Sequence, residues 1–132
     1  MAAQVVTITE PDQNYQEAVK LKKIKWVWKC TDAGAVADAT VAGQVNKTTK
    51  KYTGEIVRLI TKPTDSPTDN YDVTIKDDDG YDVLMGAGVD RDTANTEQVL
   101  ASSLGVCVDS QLSLIVAAAG NAKSGTVILY IK

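Results

Sequence analysis

Histidine is absent from the 132 residues of this chain, and its absence removes a large set of chemistries. Histidine is the commonest general base and a frequent metal ligand, so Ser-His-Asp, Cys-His and His-zinc sites are all excluded. Cysteine occurs only as Cys30 and Cys107, a spacing that forms neither a metal-ligand pair nor a redox pair. We therefore expect both to be small buried side chains, joined only if their strands meet.

Long hydrophobic segments are also lacking. The longest uninterrupted apolar run, residues 114–119, is far shorter than the roughly 20 residues that a bilayer span requires. Residues 1–7 carry no basic side chain, which is atypical of a secretory signal. We expect a soluble protein without a membrane partner.

Composition predicts one globular domain, with 44% hydrophobic and 23% charged residues. Charge is unevenly distributed along the chain. Residues 1–62 carry 10 Lys and Arg against 6 Asp and Glu, a balance of +4, while residues 63–132 carry 4 against 11, a balance of −7. The net charge of −3 argues against a nucleic-acid partner. Halves of opposite sign can pair within one fold or between copies.

Period-two alternation, rich in valine and threonine, predicts an all-β protein: an antiparallel β-sandwich or jelly roll of about eight strands with at most one short helix. Asn95 and Gln98 have the spacing of a capping box, which favours one helix running through Leu104. The Asp79-Gly80 step predicts a tight hairpin turn. Strands are expected near residues 3–9, 22–30, 35–42, 44–52, 55–61, 71–76, 81–85, 112–117 and 126–131.

The first 18 residues read as an N-terminal strand or arm, ahead of a single β-sandwich domain over residues 19–132. A short strand at residues 4–9 is followed by a breaker containing Pro11 and Asn14. Such a strand can add to the sheet edge of a neighbouring subunit by β-augmentation. The alternative, in which it pairs within its own sandwich, stays open from the sequence.

Two motifs suggest ligands, and each has a structural explanation. Lysines alternate with Trp26 and Trp28, as in single-strand nucleic-acid platforms, but in a strand the tryptophans face away from the lysines and belong to the core. The aspartates between Asp77 and Asp82 suggest calcium, but they depart from the EF-hand pattern, and a solvated hairpin turn is the favoured interpretation. We predict no catalytic residue, no cofactor and no metal.

Three blocks resemble a family of small β-rich virion proteins of tailed bacteriophages. They are TTKKYTGEIVR at residues 48–58, PTDNYDVTIKDDDGYDVL at residues 67–84 and NAKSGTVILYI at residues 121–131. Residues 1–47 show no such likeness.

The resemblance implies a non-enzymatic structural protein, made in the bacterial host cytoplasm and carried on the surface of the phage head. Its implied role is capsid decoration or cement, with the major capsid protein as partner. The opposite charge of the two halves favours head-to-tail contacts around a closed ring, so we expect a homo-oligomer, a trimer rather than a dimer. A head-to-tail or tail component, or a virion-borne host-surface or carbohydrate-binding module, are the alternatives. We expect subunit or capsid contacts from the N-terminal strand and the lysine face of the next strand: Val5, Val6, Ile8, Lys23, Lys25 and Lys29.

Overall fold

Eight antiparallel strands form the fold over the described part of the chain, as the alternation predicts. The computed structural model describes residues 4–11, 21–31, 35, 46–64, 67, 70–120 and 123–132. Helical structure in these ranges is confined to one 3₁₀ turn at Ala101–Ser103. The strands are β1 (Val5–Thr9), β2 (Lys22–Lys29), β3 (Tyr52–Pro63), β4 (Asp72–Lys76), β5 (Glu97–Leu100), β6 (Val106–Ser110), β7 (Ser113–Ala117) and β8 (Ser124–Ile131).

The strands form two sheets that share one core. The larger sheet has the order β1-β2-β8-β3-β5, with β6 pairing to the first part of β3, and the smaller sheet pairs β4 with β7. Both sheets contribute their apolar faces to the same buried cluster. The layered, sandwich-like arrangement predicted from the sequence is therefore confirmed.

Strand β2 shows how the sequence pattern produces the core. Ile24, Trp26, Trp28 and Cys30 are at most 1% exposed. The alternate positions of β2 lie on the solvent side, as the period of two requires. Trp28 packs on Tyr71 with ring centroids 5.5 Å apart and planes tilted by 53°, which joins the two layers. The prediction that both tryptophans share one buried face is confirmed.

A buried asparagine provides a polar link between the layers. The Trp26 indole N–H donates to the Asn46 carbonyl at 3.1 Å, and the Leu114 amide donates to the same oxygen, also at 3.1 Å. The Asn46 side-chain amide donates to the Leu114 carbonyl. Asn46 is fully buried, so these hydrogen bonds fix the register between the larger sheet and β7.

The prediction of a helix after Asn95 is wrong, because residues Glu97–Leu100 form β5. Residues Glu97–Leu100 pair with Arg58–Thr61 of β3. Instead of closing a capping box, Gln98 accepts a hydrogen bond from Arg58 Nε through its side-chain oxygen at 2.9 Å. Pairing with a distant strand overrides the local capping signal.

Two expected strands also need correction. Residues 83–88 form consecutive turns instead of a strand, because the Asp82 carboxylate accepts the amides of Leu84 and Gly86. Of the strand expected at 44–52, residues 46–51 contribute only a bridge at Lys47 before β3 begins, and residues 44–45 lie outside the described residues. The strand expected at 35–42 lies outside them too, apart from Ala35. Strand β6 has no counterpart in the prediction.

The Asp-Gly turn forms as predicted. The Gly80 amide donates to the Asp77 carbonyl at 3.1 Å, and the Asp77 amide donates to the Tyr81 carbonyl at 3.0 Å. Gly80 adopts a φ of 85°, a left-handed conformation that favours glycine. The chain returning from this turn forms no strand beside β4, but it bonds β4 at Asp82 and Val83 and again at Gly88, whose carbonyl accepts the Val73 amide at 2.8 Å.

Candidate interaction surface

The solvent side of the larger sheet presents a continuous face across its three central strands. In antiparallel pairs, directly opposed residues place their side chains on the same face. Lys23 therefore lies beside Tyr130, and Lys25 beside Ile128, with Arg58 and Ile60 of β3 on the far side of β8. We call this the outer sheet face, and its members are Lys23, Lys25, Val27, Lys29, Arg58, Ile60, Lys62, Thr126, Ile128 and Tyr130.

The outer sheet face combines an apolar centre with cations of one sign. Of its central side chains, Val27 is 43% exposed, and Ile128 and Tyr130 are half-buried. Five Lys and Arg side chains surround them, and the ten members include no acidic residue. These cations repel one another because no acidic member of the face offsets them. Binding of an anionic surface would relieve that repulsion and is therefore favoured here.

Arg58 is held in a defined orientation on this face. Its guanidinium carbon lies 5.6 Å from the centre of the Tyr130 ring, within cation-π range. The hydrogen bond from Arg58 Nε to Gln98 comes from the neighbouring strand β5. A shallow groove of about 250 Å³ adjoins this position, lined by Arg58, Ile60, Thr96, Glu97 and Gln98. One cation of the outer sheet face is therefore pre-oriented for contact.

The N-terminal strand is not a detached arm. Strand β1 pairs along its whole length with β2, from Val5 opposite Lys29 to Thr9 opposite Lys25. Val6 and Ile8 are half-buried against the core, while Val5 is 54% exposed beside the outer sheet face. The expectation of an arm detached from its own sheet is wrong, because the inward side chains of β1 extend the apolar layer begun by Trp26 and Trp28.

A carboxylate clamp holds the end of β1. One Glu10 oxygen accepts the Thr49 amide at 2.9 Å and its hydroxyl at 2.8 Å. The other accepts the Lys50 amide at 3.1 Å and the Tyr52 hydroxyl at 2.8 Å. The Lys50 ammonium also donates to the Pro11 carbonyl. Sequence reasoning missed this clamp, because no local pattern links residue 10 to residues 49–52.

The clamp shifts the pKa values of both of its titratable groups, Glu10 and Tyr52. Burial alone would raise the pKa of Glu10, but the hydrogen bonds from Thr49, Tyr52 and Lys50 together outweigh it and lower that pKa. Burial, followed by the hydrogen bond to Glu10, raises the pKa of the Tyr52 hydroxyl. The clamp is therefore made by an ionised carboxylate and a neutral phenol.

A second charged surface lies in the layer of the smaller sheet. We call it the acidic end, and its members are the aspartates of the turn that follows β4: Asp77, Asp78, Asp79 and Asp82. Asp77 Oδ1 accepts the amides of Asp79 and Tyr81, each at 3.0 Å. Asp82 Oδ1 accepts the amides of Ile75 at 3.2 Å and Leu84 at 3.0 Å. These carboxylates thus stabilise the turns that carry them.

The calcium alternative gains no support from this geometry. Asp77 and Asp82 direct their carboxylate oxygens to backbone amides within the turn. Across the residues that the structure describes, no group of three or more Cys, Asp or Glu side chains is arranged to hold a metal ion. The solvated turn remains the favoured interpretation.

Both cysteines are buried free thiols, as the sequence predicts. Cys30 donates to the Gly120 carbonyl at 3.1 Å. Burial raises the pKa of the Cys30 thiol, and burial likewise raises that of Cys107. A raised pKa keeps both sulfurs in the unreactive thiol form at neutral pH.

Comparisons with protein-family models, with curated proteins and with solved structures found no match to this chain. Over its described ranges, the structure contains no helix long and apolar enough to cross a membrane.

Proposed function

We propose that this chain is a non-enzymatic structural protein of a tailed-phage virion, a decoration or cement protein that binds the assembled head. The resemblance of three sequence blocks to small virion proteins supports this role. A protein that acts by binding needs a rigid fold and a complementary surface, and no catalytic constellation.

The observation that carries the proposal is the outer sheet face. An apolar centre surrounded by charges is the usual plan of a protein-binding surface, in which the centre excludes water and the charged rim gives orientation and speed of association. The outer sheet face has this plan, with Val27, Ile128 and Tyr130 inside a rim that includes Lys23 and Lys25. Neighbouring virion subunits are the proposed partners.

The carbohydrate-binding alternative depends on exposed aromatic side chains that could stack on sugar rings. Trp26 and Trp28 are 0% and 1% exposed, so neither contributes to such a platform. Tyr130 is half-buried beneath the Arg58 guanidinium. Tyr81 is 74% exposed, but among the described residues it is the one aromatic side chain with a mostly exposed surface, and one ring does not make a platform. The geometry therefore favours protein contacts over a sugar platform.

Reconstitution on phage heads tests the proposal. Heads prepared without this protein are mixed with the purified chain, and co-sedimentation and the melting temperature of the heads are measured. We expect saturable binding and a higher melting temperature, and we expect the double variant Lys23→Glu/Lys25→Glu to bind at least about tenfold more weakly, because it reverses two rim charges.

The matched control is Lys47→Glu/Lys51→Glu, which changes the net charge equally but lies in the segment leading to β3, outside the outer sheet face. The control should bind heads like the unmodified protein. Failure of the unmodified chain to bind heads, or its capture by isolated tails instead, would overturn the head assignment.

A further inference from the structure

The molecule carries two surfaces of opposite charge that are not neutralised within one copy. The outer sheet face belongs to the larger sheet, whereas the acidic end belongs to the layer of the smaller sheet. Throughout the described residues, the single ion pair joins Arg91 to Glu97 at 3.8 Å and uses no member of either surface. Both surfaces therefore keep their charge available for contacts outside the molecule.

The two surfaces also match in their apolar parts. Tyr81 and Met85 project from the acidic end with 74% and 73% of their area exposed. The outer sheet face offers Val27 and its apolar neighbours inside a cationic rim. An apolar projection flanked by carboxylates is complementary to an apolar floor flanked by ammonium groups, so contact would bury both centres while pairing the rims.

The acidic end is preformed for such contact. The Asp77 and Asp82 carboxylates cap the amides of their own turns, so the tip bearing Tyr81 is held by hydrogen bonds before any partner arrives. Preorganisation reduces the entropy lost on association. Asp78 and Asp79 are exposed beside that tip and lie free to face a partner's cations.

From this complementarity we infer that the occupant of the outer sheet face is the acidic end of a second copy of the chain. The contact is heterologous, because the two surfaces differ, and its repetition closes into a ring when the rotation between copies permits. The inference rests on the proposed function in one respect: the neighbouring virion subunits that meet the outer sheet face are then further copies of this chain, and attachment to a head supplies the high local concentration at which a modest contact between copies becomes populated.

A charge-exchange experiment tests the inference. The face variant is Lys23→Glu/Lys25→Glu, and the end variant is Asp78→Lys/Asp79→Lys, whose side chains cap no backbone amide in the structure. Self-association of the full chain is measured by sedimentation equilibrium at low and high salt. We expect salt-sensitive association of the unmodified chain, and at least about tenfold weaker association of each variant alone.

Mixing the two variants is the decisive step. The reversed face of one variant then meets the reversed end of the other, and their unaltered surfaces also match, so contacts between unlike copies should be restored and association should exceed that of either variant alone. The control Lys47→Glu/Lys51→Glu should associate normally, and matching circular dichroism melts should show that every variant is folded. Association unchanged in the single variants, or not restored on mixing, would refute the pairing of copies.

Parallel measurements separate this inference from the proposed function. If the face variant loses head binding while the unmodified chain remains monomeric at every concentration, the shell occupies the outer sheet face and the inference fails, but the proposed function stands. If copies pair as expected yet never bind heads, the proposed function fails alone. Binding of a single-stranded oligonucleotide that the face variant abolishes, without self-association, would assign the face to nucleic acid and refute the inference.

Discussion

The two core tryptophans differ in one respect that stability measurements can resolve. The Trp26 indole N–H donates to the Asn46 carbonyl at 3.1 Å. The Trp28 indole nitrogen is equally buried but has no hydrogen-bond partner among the described residues. Replacing each in turn with phenylalanine deletes the N–H donor and keeps an aromatic ring. Trp26→Phe and Trp28→Phe thus form a matched pair.

The expected difference follows from the partners. Trp26→Phe loses a satisfied hydrogen bond, worth about 1 kcal/mol net, while the Asn46 carbonyl keeps the Leu114 amide as a donor. Trp28→Phe removes an unpaired buried donor, whose desolvation penalty is about 1–3 kcal/mol, and this relief offsets part of the lost packing. The packing losses are similar because the same atoms are removed. Trp26→Phe should therefore destabilise the fold by about 2 kcal/mol or more beyond Trp28→Phe.

Urea unfolding followed by far-UV circular dichroism measures this difference without relying on tryptophan fluorescence. Equal m values would show that both variants unfold from equally compact states. Trp26→Ala is the reference, with an expected loss of about 3–5 kcal/mol for a large aromatic deleted from a core. If Trp28→Phe is as destabilising as Trp26→Phe, the assignment of satisfied and unsatisfied indoles is wrong.

Three further predictions concern the backbone, the clamp and the acidic end. Gly54→Ala should lower the unfolding free energy by several kcal/mol, since the φ of Gly54 is 151° and an added Cβ would collide with the Lys132 carbonyl oxygen. Gly80→Ala, with open space around it, should lower it by only about 1 kcal/mol, and equal losses in denaturant titrations would contradict this. Because the folded-state pKa of Glu10 is lowered, its contribution to stability is present above the unfolded pKa of about 4.3 and disappears as pH falls through the folded value. Glu10→Gln should therefore reduce the fall in melting temperature on acidification below about pH 4.3, and an unchanged fall would contradict the clamp. Neither EDTA nor calcium should change the melting temperature, because Asp77 and Asp82 bind amides; a rise of several degrees with calcium would identify an ion site.

Much of the fold could be predicted from local patterns. Alternation in residues 22–30 indicated which side of β2 faces the core, and the structure confirms it down to Cys30. The Asp-Gly step located a turn whose backbone conformation only a few residues adopt easily. These features depend on side-chain polarity and φ preferences within a few residues, which are properties of the chain itself.

Features that depend on distant partners could not be predicted in this way. Residues 97–100 follow a helix-start signal at Asn95, and only pairing with β3 makes them a strand. Strand β1 can equally form an arm or a sheet edge, and its pairing with β2, together with the hydrogen bonds of Glu10 to residues 49–52, holds it on its own sheet. In both cases the deciding interactions join segments that are far apart in the sequence.

The same distinction between local patterns and distant partners applies to the outer sheet face. The sequence by itself determined that Lys23, Lys25 and Lys29 face away from the tryptophans, because a strand alternates its side chains. Only the tertiary structure decided that β8 lies between β2 and β3, which places Arg58 and Lys62 on the same face. Strand order is set by which apolar faces and backbone edges fit together across the whole molecule, and alternation within one segment carries no information about its neighbours.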